Sequence, residues 1–168
     1  MGLGVYPATH KRFLGMLGMH GTYQANMSMH NADLIIAIGA RFDDRITNTP
    51  KLFAPNAKII HLDVDYSSVS KIIEANIAVF GQVKNSLLEM IKLLEAKKEL
   101  IDPKKILPWK EQISDWKSQH GLNHEMHLCE TDDKPIMPQA VVQHLYNITN
   151  GKAFITSDVG QHQMFAAQ

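Results

Sequence analysis

The sequence predicts an α/β fold, a parallel sheet in a three-layer αβα arrangement, on three observations. Residues 34–39 (LIIAIG) and 57–64 (AKIIHLDV) are apolar, β-branched runs of the kind found in strands buried on both faces. Helical patterns lie between and after the runs, the alternation expected of βαβ units. Each run also ends in glycine or acids, Gly39 in the first and Asp63 and Asp65 in the second. In open parallel sheets, ligands bind beyond the carboxyl ends of the strands, so these endings carry chemical interest.

Taken in order, residues 22–30 form a short helical pattern before the first strand. Residues 67–75 predict a second helix, with serines available as caps. IAVF at 77–80 is a third strand, stopped by Gly81. Val83, Leu87, Leu88, Ile91 and Leu94 then recur at helical spacing. The character changes near Ala96, where charges and prolines (Pro103, Pro108, Pro135) frame one amphipathic piece carrying Trp109, Ile113 and Trp116. Residues 138–149 are helical again, with Val141, Val142, Leu145 and Ile148 on one face. AFIT at 153–156 predicts a strand, followed by SDVGQHQMFAAQ, which opens a helix. A strand after the connection has no sheet partner in its own domain, and isolated strands are unstable. The chain therefore reads as most of one α/β domain (1–97), an interdomain connection (98–134) and the first βα unit of a second, truncated α/β domain (135–168).

Composition narrows the function classes. Hydrophobic residues make up 45% and charged residues 20%, as in a globular protein with a core. Lys+Arg and Asp+Glu both total 17, so no electrostatic footprint for nucleic acid or anionic lipid is expected. The longest apolar run, about residues 34–40, is far too short to span a bilayer. One cysteine, Cys129, and an amino-terminal stretch without signal-peptide character make the cytoplasm the expected compartment.

Three strand ends carry candidate chemistry. After the first, Gly39 permits close approach to the backbone, and Arg41 can clamp a phosphate or carboxylate. Asp44 beside Arg45 can hold the second guanidinium; a surface turn with local ion pairs is the plainer alternative. After the second strand, Asp63 and Asp65 resemble the acid that accepts from a nucleotide ribose, but an acid there is equally a helix cap. No G-x-G-x-x-G is present. After the last run, Gly160 and Gln161 in DVGQH sit where a βα turn presents N–H groups to a diphosphate, or are simply an ordinary turn.

Two stretches raise the question of metal. Residues 15–30 (GMLGMHGTYQANMSMH) combine thioethers and imidazoles, a soft-metal ligand set. His120, His124, His127 and Cys129 are spaced H-x3-H-x2-H and then Cys, with HEMH one residue short of HExxH and no second cluster to close a tetrahedral site. The reading of both is against metal: Met16, Met27 and Met29 are adaptable packing residues.

In this order and spacing, GMLGMHGTYQANMSMHNAD, GARFDDR, HLDVD and SDVGQHQMFAAQ resemble the large catalytic subunit of acetolactate synthase (acetohydroxyacid synthase), a thiamine-diphosphate enzyme family. RFDDR and GQHQM together are the specific pair. The resemblance implies three α/β domains, of which this chain is most of the middle, FAD-associated one and the start of the thiamine-diphosphate domain. It implies decarboxylation of pyruvate on thiamine diphosphate and condensation with a second 2-ketoacid, pyruvate or 2-ketobutyrate, in branched-chain amino-acid synthesis. It also implies FAD, bound without a redox role in that reaction.

By position, the resemblance places Met19, His20, Gly39, Arg41 and Asp43 along FAD, Asp63, Val64 and Asp65 at its adenosine end, and Gln163 and Met164 against it from the next domain. It assigns Arg45 to the carboxylate of the second ketoacid, and Val159, Gly160, Gln161 and His162 to thiamine diphosphate. It assigns no catalytic residue and no metal ligand to this chain, since the activating glutamate and the Mg²⁺-binding Gly-Asp-Gly motif belong to other parts of such enzymes. A homodimer or larger assembly with its active site between subunits, and a regulatory small subunit, are the implied partners. One departure is visible: the family commonly has Gly-Asp where this chain has Gly81-Gln82. A stand-alone FAD- or NAD-binding module, or another thiamine-diphosphate enzyme such as an oxidase or carboligase, is the alternative; a stand-alone module leaves GQHQM unexplained.

Overall fold

A computed structural model describes residues 2, 4–121 and 136–167 of the chain. His124, His127 and Cys129 lie outside the described residues. Three parallel strands, β1 (Leu34–Ile38), β2 (Lys58–Asp63) and β3 (Ile77–Phe80), form a sheet in the order β1-β2-β3. Leu34 pairs with Lys58 and Ile38 with Leu62 across the first ladder, and Ile60 pairs with Ile77 across the second. The register puts Ile35, Ala37, Ile59 and His61 on one face, because side chains alternate along a strand.

That face carries the core. Ile35, Ala37, Phe42, Ala54, Ile59 and Ile73 are buried together, with Met29 and Phe53 packed against them. On the opposite face Leu62 is buried, on the strand that helix α3 (Val83–Ala96) packs against. Both faces of β1 are apolar, as the sequence predicts, but only one is covered by the described residues. Leu34, Ile36 and Ile38 remain 48%, 43% and 45% exposed on the other.

Helix α1 (Tyr23–Asn31) begins where Thr22 caps it: Thr22 Oγ1 accepts from the Ala25 N–H at 3.3 Å and donates to the Leu14 carbonyl at 2.6 Å. A one-turn helix, α2 (Asp44–Thr47), follows the β1 loop. Helix α4 (Leu107–His120) packs on α1, with the rings of Tyr23 and His120 4.1 Å apart. Lys117 Nζ donates to the carbonyls of Lys11 (3.2 Å) and Phe13 (2.7 Å), fastening α4 to the segment before α1. Beyond the undescribed stretch, α5 (Pro138–Thr149) packs on α6 (Gln161–Ala167).

Two expectations change. Residues 67–75 form a chain of turns rather than a helix. Asp65 captures the Ser67 N–H and both the Ser67 and Ser68 hydroxyls, while Ser70 adopts φ +58° and accepts from the Ala75 N–H. Short polar side chains here compete with the helical ladder and win. AFIT at 153–156 joins no sheet among the described residues, and Phe154 is fully exposed, since a strand requires a neighbour to complete its ladder.

Candidate functional site

The loop after β1 is anchored from below. Gly39 turns the chain at φ +60°, and its N–H donates to the Leu62 carbonyl at 2.8 Å, tying the loop to β2. A methyl group at Gly39 would meet nothing within 4 Å, so the glycine serves backbone conformation, with open space beside it. Phe42 also has positive φ (+55°), which costs about 1 kcal/mol for an L side chain. Its ring is buried edge-on against Phe53 (5.7 Å) and His61 (5.2 Å), and this packing offsets the strain. With Phe42 turned inward, Arg41 and Asp43 face solvent, their side chains paired at 3.0 Å and 73% and 50% exposed. Asp43 is the N-cap of α2, its carbonyl accepting from the Thr47 N–H at 3.0 Å while its carboxylate makes no capping bond. Asp44 Oδ1 accepts from the Arg45 N–H at 3.0 Å, and Arg45 is exposed.

The GMHG segment is pressed onto this loop. The Met19 N–H donates to the Arg45 carbonyl at 2.8 Å. Gly18, at φ +102°, lies so close that an added Cβ would sit 2.5 Å from the Arg45 carbonyl oxygen. Asn26 of α1 clamps the same residue, accepting from the Gly18 N–H at 2.7 Å and donating to its carbonyl at 2.9 Å. Gly21 closes the turn, donating to the Gly18 carbonyl at 2.9 Å. Met19 is thereby held 62% exposed, with His20 exposed beside it. A cleft of about 570 Å³ opens between α1 and α2; Gly18, Met19, Met27, Asp44, Arg45 and Asn48 are among its lining residues.

The end of β2 is built otherwise. Asp63 Oδ1 accepts from the Asp65 N–H at 2.9 Å, and Asp63 is largely buried. Both carboxylate oxygens of Asp65 are engaged in its own turn, and these bonds, with the Ser67 hydroxyl the largest cause, hold the carboxyl below its usual range. Val64 is exposed between the two acids, and Tyr66 stacks on Phe80 at 4.2 Å. After β3, the Gly81 N–H donates to the Asp63 carbonyl at 3.1 Å, and Gln82 occupies the N-cap of α3 without a side-chain capping bond.

In the last segment, Asp158 Oδ1 accepts from the Val159 N–H at 2.7 Å, and the Gly160 carbonyl accepts from the Gln163 N–H at 3.1 Å. The His162 ring packs over Gly160, where a Cβ would lie 2.8 Å from it. Val159, Gln161, His162 and Gln163 are exposed, and Met164 is half-buried.

The structure thus joins Met19 with Arg45 across one hydrogen bond and sets Gly39, Arg41 and Asp43 on the same loop, with Asp63 on the neighbouring strand. Residues 159–164 belong to a separate stretch around α6. Sequence reasoning missed Gly18 and Asn26, which fix the GMHG turn, and His61. A histidine inside an otherwise apolar strand is the signal that points to the last, since buried polar side chains need partners.

Three parallel strands with helices packed against them, and glycine, arginine and acids on their carboxyl-end loops, define an α/β domain built on an open sheet. The chain belongs to the thiamine pyrophosphate enzyme central-domain family, whose sequence model matches residues 1–90. It is 48% identical over 167 residues to the acetolactate synthase isozyme 3 large subunit of Escherichia coli K12, covering 99% of this chain and 28% of that protein. Identity is also 48% over 169 residues to the acetolactate synthase large subunit of Haemophilus influenzae, with 99% and 28% covered. For the chloroplastic acetolactate synthase 3 of Brassica napus it is 41% over 168 residues, with 100% and 25% covered. The chain therefore spans only about a quarter of the length of these relatives. Among the described residues, no helix is long and apolar enough to cross a membrane.

Proposed function

We propose that this chain is the middle-domain region of an acetolactate synthase large subunit, with the opening of its thiamine-diphosphate domain. In this reading residues 1–97 belong to the FAD-associated domain, 98–134 connect, and 135–168 begin the next. The observation that carries it is similarity to such subunits across 99% of the chain, spanning both RFDDR and GQHQM. The parent protein joins two 2-ketoacids in branched-chain amino-acid synthesis in the cytoplasm, as a homodimer or larger assembly, with a regulatory small subunit as partner.

The residues present fit a flavin. Gly39 borders open space, Arg41 and Asp43 are presented beside it, and Met19 and His20 stand exposed on a turn hydrogen-bonded to the same loop. Arg41 supplies charge for the diphosphate of FAD, and Met19 and His20 form a wall for its flat ring. Asp63, Val64 and Asp65 flank the adenosine end, Asp65 chiefly by shaping the turn, because its carboxylate is engaged by serines. Gln163 and Met164 approach the same cofactor from the next domain. Arg45, exposed at the cleft, binds the carboxylate of the second ketoacid. When bound, thiamine diphosphate supplies the electron sink for decarboxylation, with Mg²⁺ held by residues outside this chain. Val159, Gly160, Gln161 and His162 line its diphosphate end at the turn that opens α6, with the Val159 N–H held by Asp158 and the N–H groups that follow it offered to the ligand. The test is direct: the full-length parent, folded and loaded with thiamine diphosphate, Mg²⁺ and FAD, converts pyruvate to acetolactate. A loaded, folded sample that forms none overturns the proposal.

A further inference from the structure

His61 is fully buried, at 0% exposure, on the core face of the central strand β2. Its Nε2 lies 2.8 Å from the Ala40 carbonyl oxygen, while Nδ1 is buried without a partner. A carbonyl only accepts, so Nε2 carries a proton and donates it to Ala40. Asp63 Oδ2, at 4.0 Å from the same nitrogen, is too distant to take that proton. Ala40 lies between Gly39 and Arg41, inside the turn that carries the exposed Arg41–Asp43 pair. The ring of Phe42, the residue held at positive φ, stands perpendicular to the imidazole with the ring centroids 5.2 Å apart. One side chain on β2 therefore holds the β1 loop twice, by a hydrogen bond before Arg41 and by a ring contact after it.

We propose that His61 is the positioning residue of the β1 loop: its Nε2–H fixes the Ala40 peptide so that Arg41 and Asp43 are presented in a single arrangement to the ligand bound there. A polar donor in this apolar strand is otherwise unaccounted for, because burying imidazole without using it costs more than burying leucine. Losing the donor leaves the Ala40 carbonyl short of a partner and frees a strained turn to relax toward ordinary backbone angles. The role rests on the reading of this loop as a flavin site, and the experiment separates the two.

The test uses the full-length parent protein stripped of FAD, with His61→Gln, whose amide Nε2–H can replace the donor, and His61→Met, which fills the space without one. Should His61→Met fail to fold, His61→Asn, whose amide stops short of Ala40, takes its place with the same expectation. FAD is titrated by flavin fluorescence, well below each variant's unfolding midpoint. The donor-free variant is expected to bind FAD about ten-fold or more weakly, and His61→Gln within about three-fold of the wild type. Equal losses in the two variants, or no loss in a folded donor-free one, overturn the proposal. If the wild type itself binds no FAD, the flavin reading fails, and amide exchange over residues 39–45 decides the positioning role. Exchange faster in the donor-free variant than in His61→Gln supports it, and equal exchange in the two contradicts it.

Discussion

The loops after β1 and β2 leave neighbouring strands and are rich in the same residue types, and Gly39 of the first donates to Leu62 near the end of β2. Their construction differs. The β1 loop is held through backbone groups and buried rings: the Gly39 N–H, the Ala40 carbonyl on His61, and Phe42 in the core. Its charged side chains are thereby left exposed. The β2 loop is held through its own charged side chain, Asp65 tying down Ser67 and Ser68. An acid at a strand end thus faces solvent, as Asp43 does, or is spent on its own turn, as Asp65 is, depending on what else supports the loop.

The largest expected effect concerns the group that the β1 side leaves exposed at the cleft. Replacing Arg45 with alanine in the loaded parent enzyme should reduce kcat/KM for the second ketoacid roughly 30-fold or more, from the loss of about 2 kcal/mol of a charge-assisted carboxylate pair. Retention of FAD should change little. Equal loss of flavin and activity would make Arg45 a flavin group instead. Next comes the packing that seats the GMHG turn on the loop. Gly18→Ala forces a Cβ to 2.5 Å from the Arg45 carbonyl and a side chain onto φ +102°, and should destabilise the fold by about 2–3 kcal/mol in denaturant unfolding. An unchanged midpoint would mean that the turn is looser than its geometry.

A smaller effect, on stability more than on ligand, is expected from Asp65→Ala. The Asp65 carboxyl is lowered from its ordinary value of 3.8 by the serine bonds, so its contribution is complete above that value and is lost as pH falls through the lower folded value. The gap in unfolding midpoint between wild type and variant should therefore be constant near neutrality and narrow below about pH 4. A gap that widens on acidification would contradict the turn role.

How much of this was legible beforehand follows the same division. The three strands and the helix after Gly81 were readable because their apolar residues recur at the right period. Residues 67–75 looked helical because serines cap helices, yet here they answer to Asp65, a competition decided by which N–H groups lie within reach. AFIT has the composition of a strand, but composition does not supply the neighbour that a ladder requires. Gly39, Arg41, Asp43 and Arg45 could be picked out as chemistry-bearing residues. That the Gly18 peptide is clamped by Asn26, and Ala40 by His61, is a tertiary fact separated by 8 and 21 residues in sequence. Only the odd histidine in AKIIHLDV hinted at the second.

The measurement that bears most directly on the contrast pairs Arg41→Ala with Asp65→Ala in the full-length parent, reading FAD affinity and unfolding midpoint for both. The exposed Arg41–Asp43 pair contributes at most about 1 kcal/mol to stability, so Arg41→Ala should leave the midpoint nearly unchanged while weakening FAD about ten-fold or more. Asp65→Ala should lower the midpoint and leave FAD affinity within about three-fold. The reverse pattern, Arg41→Ala unfolding the domain and Asp65→Ala releasing the flavin, would contradict the assignment of the β1 loop as the ligand side.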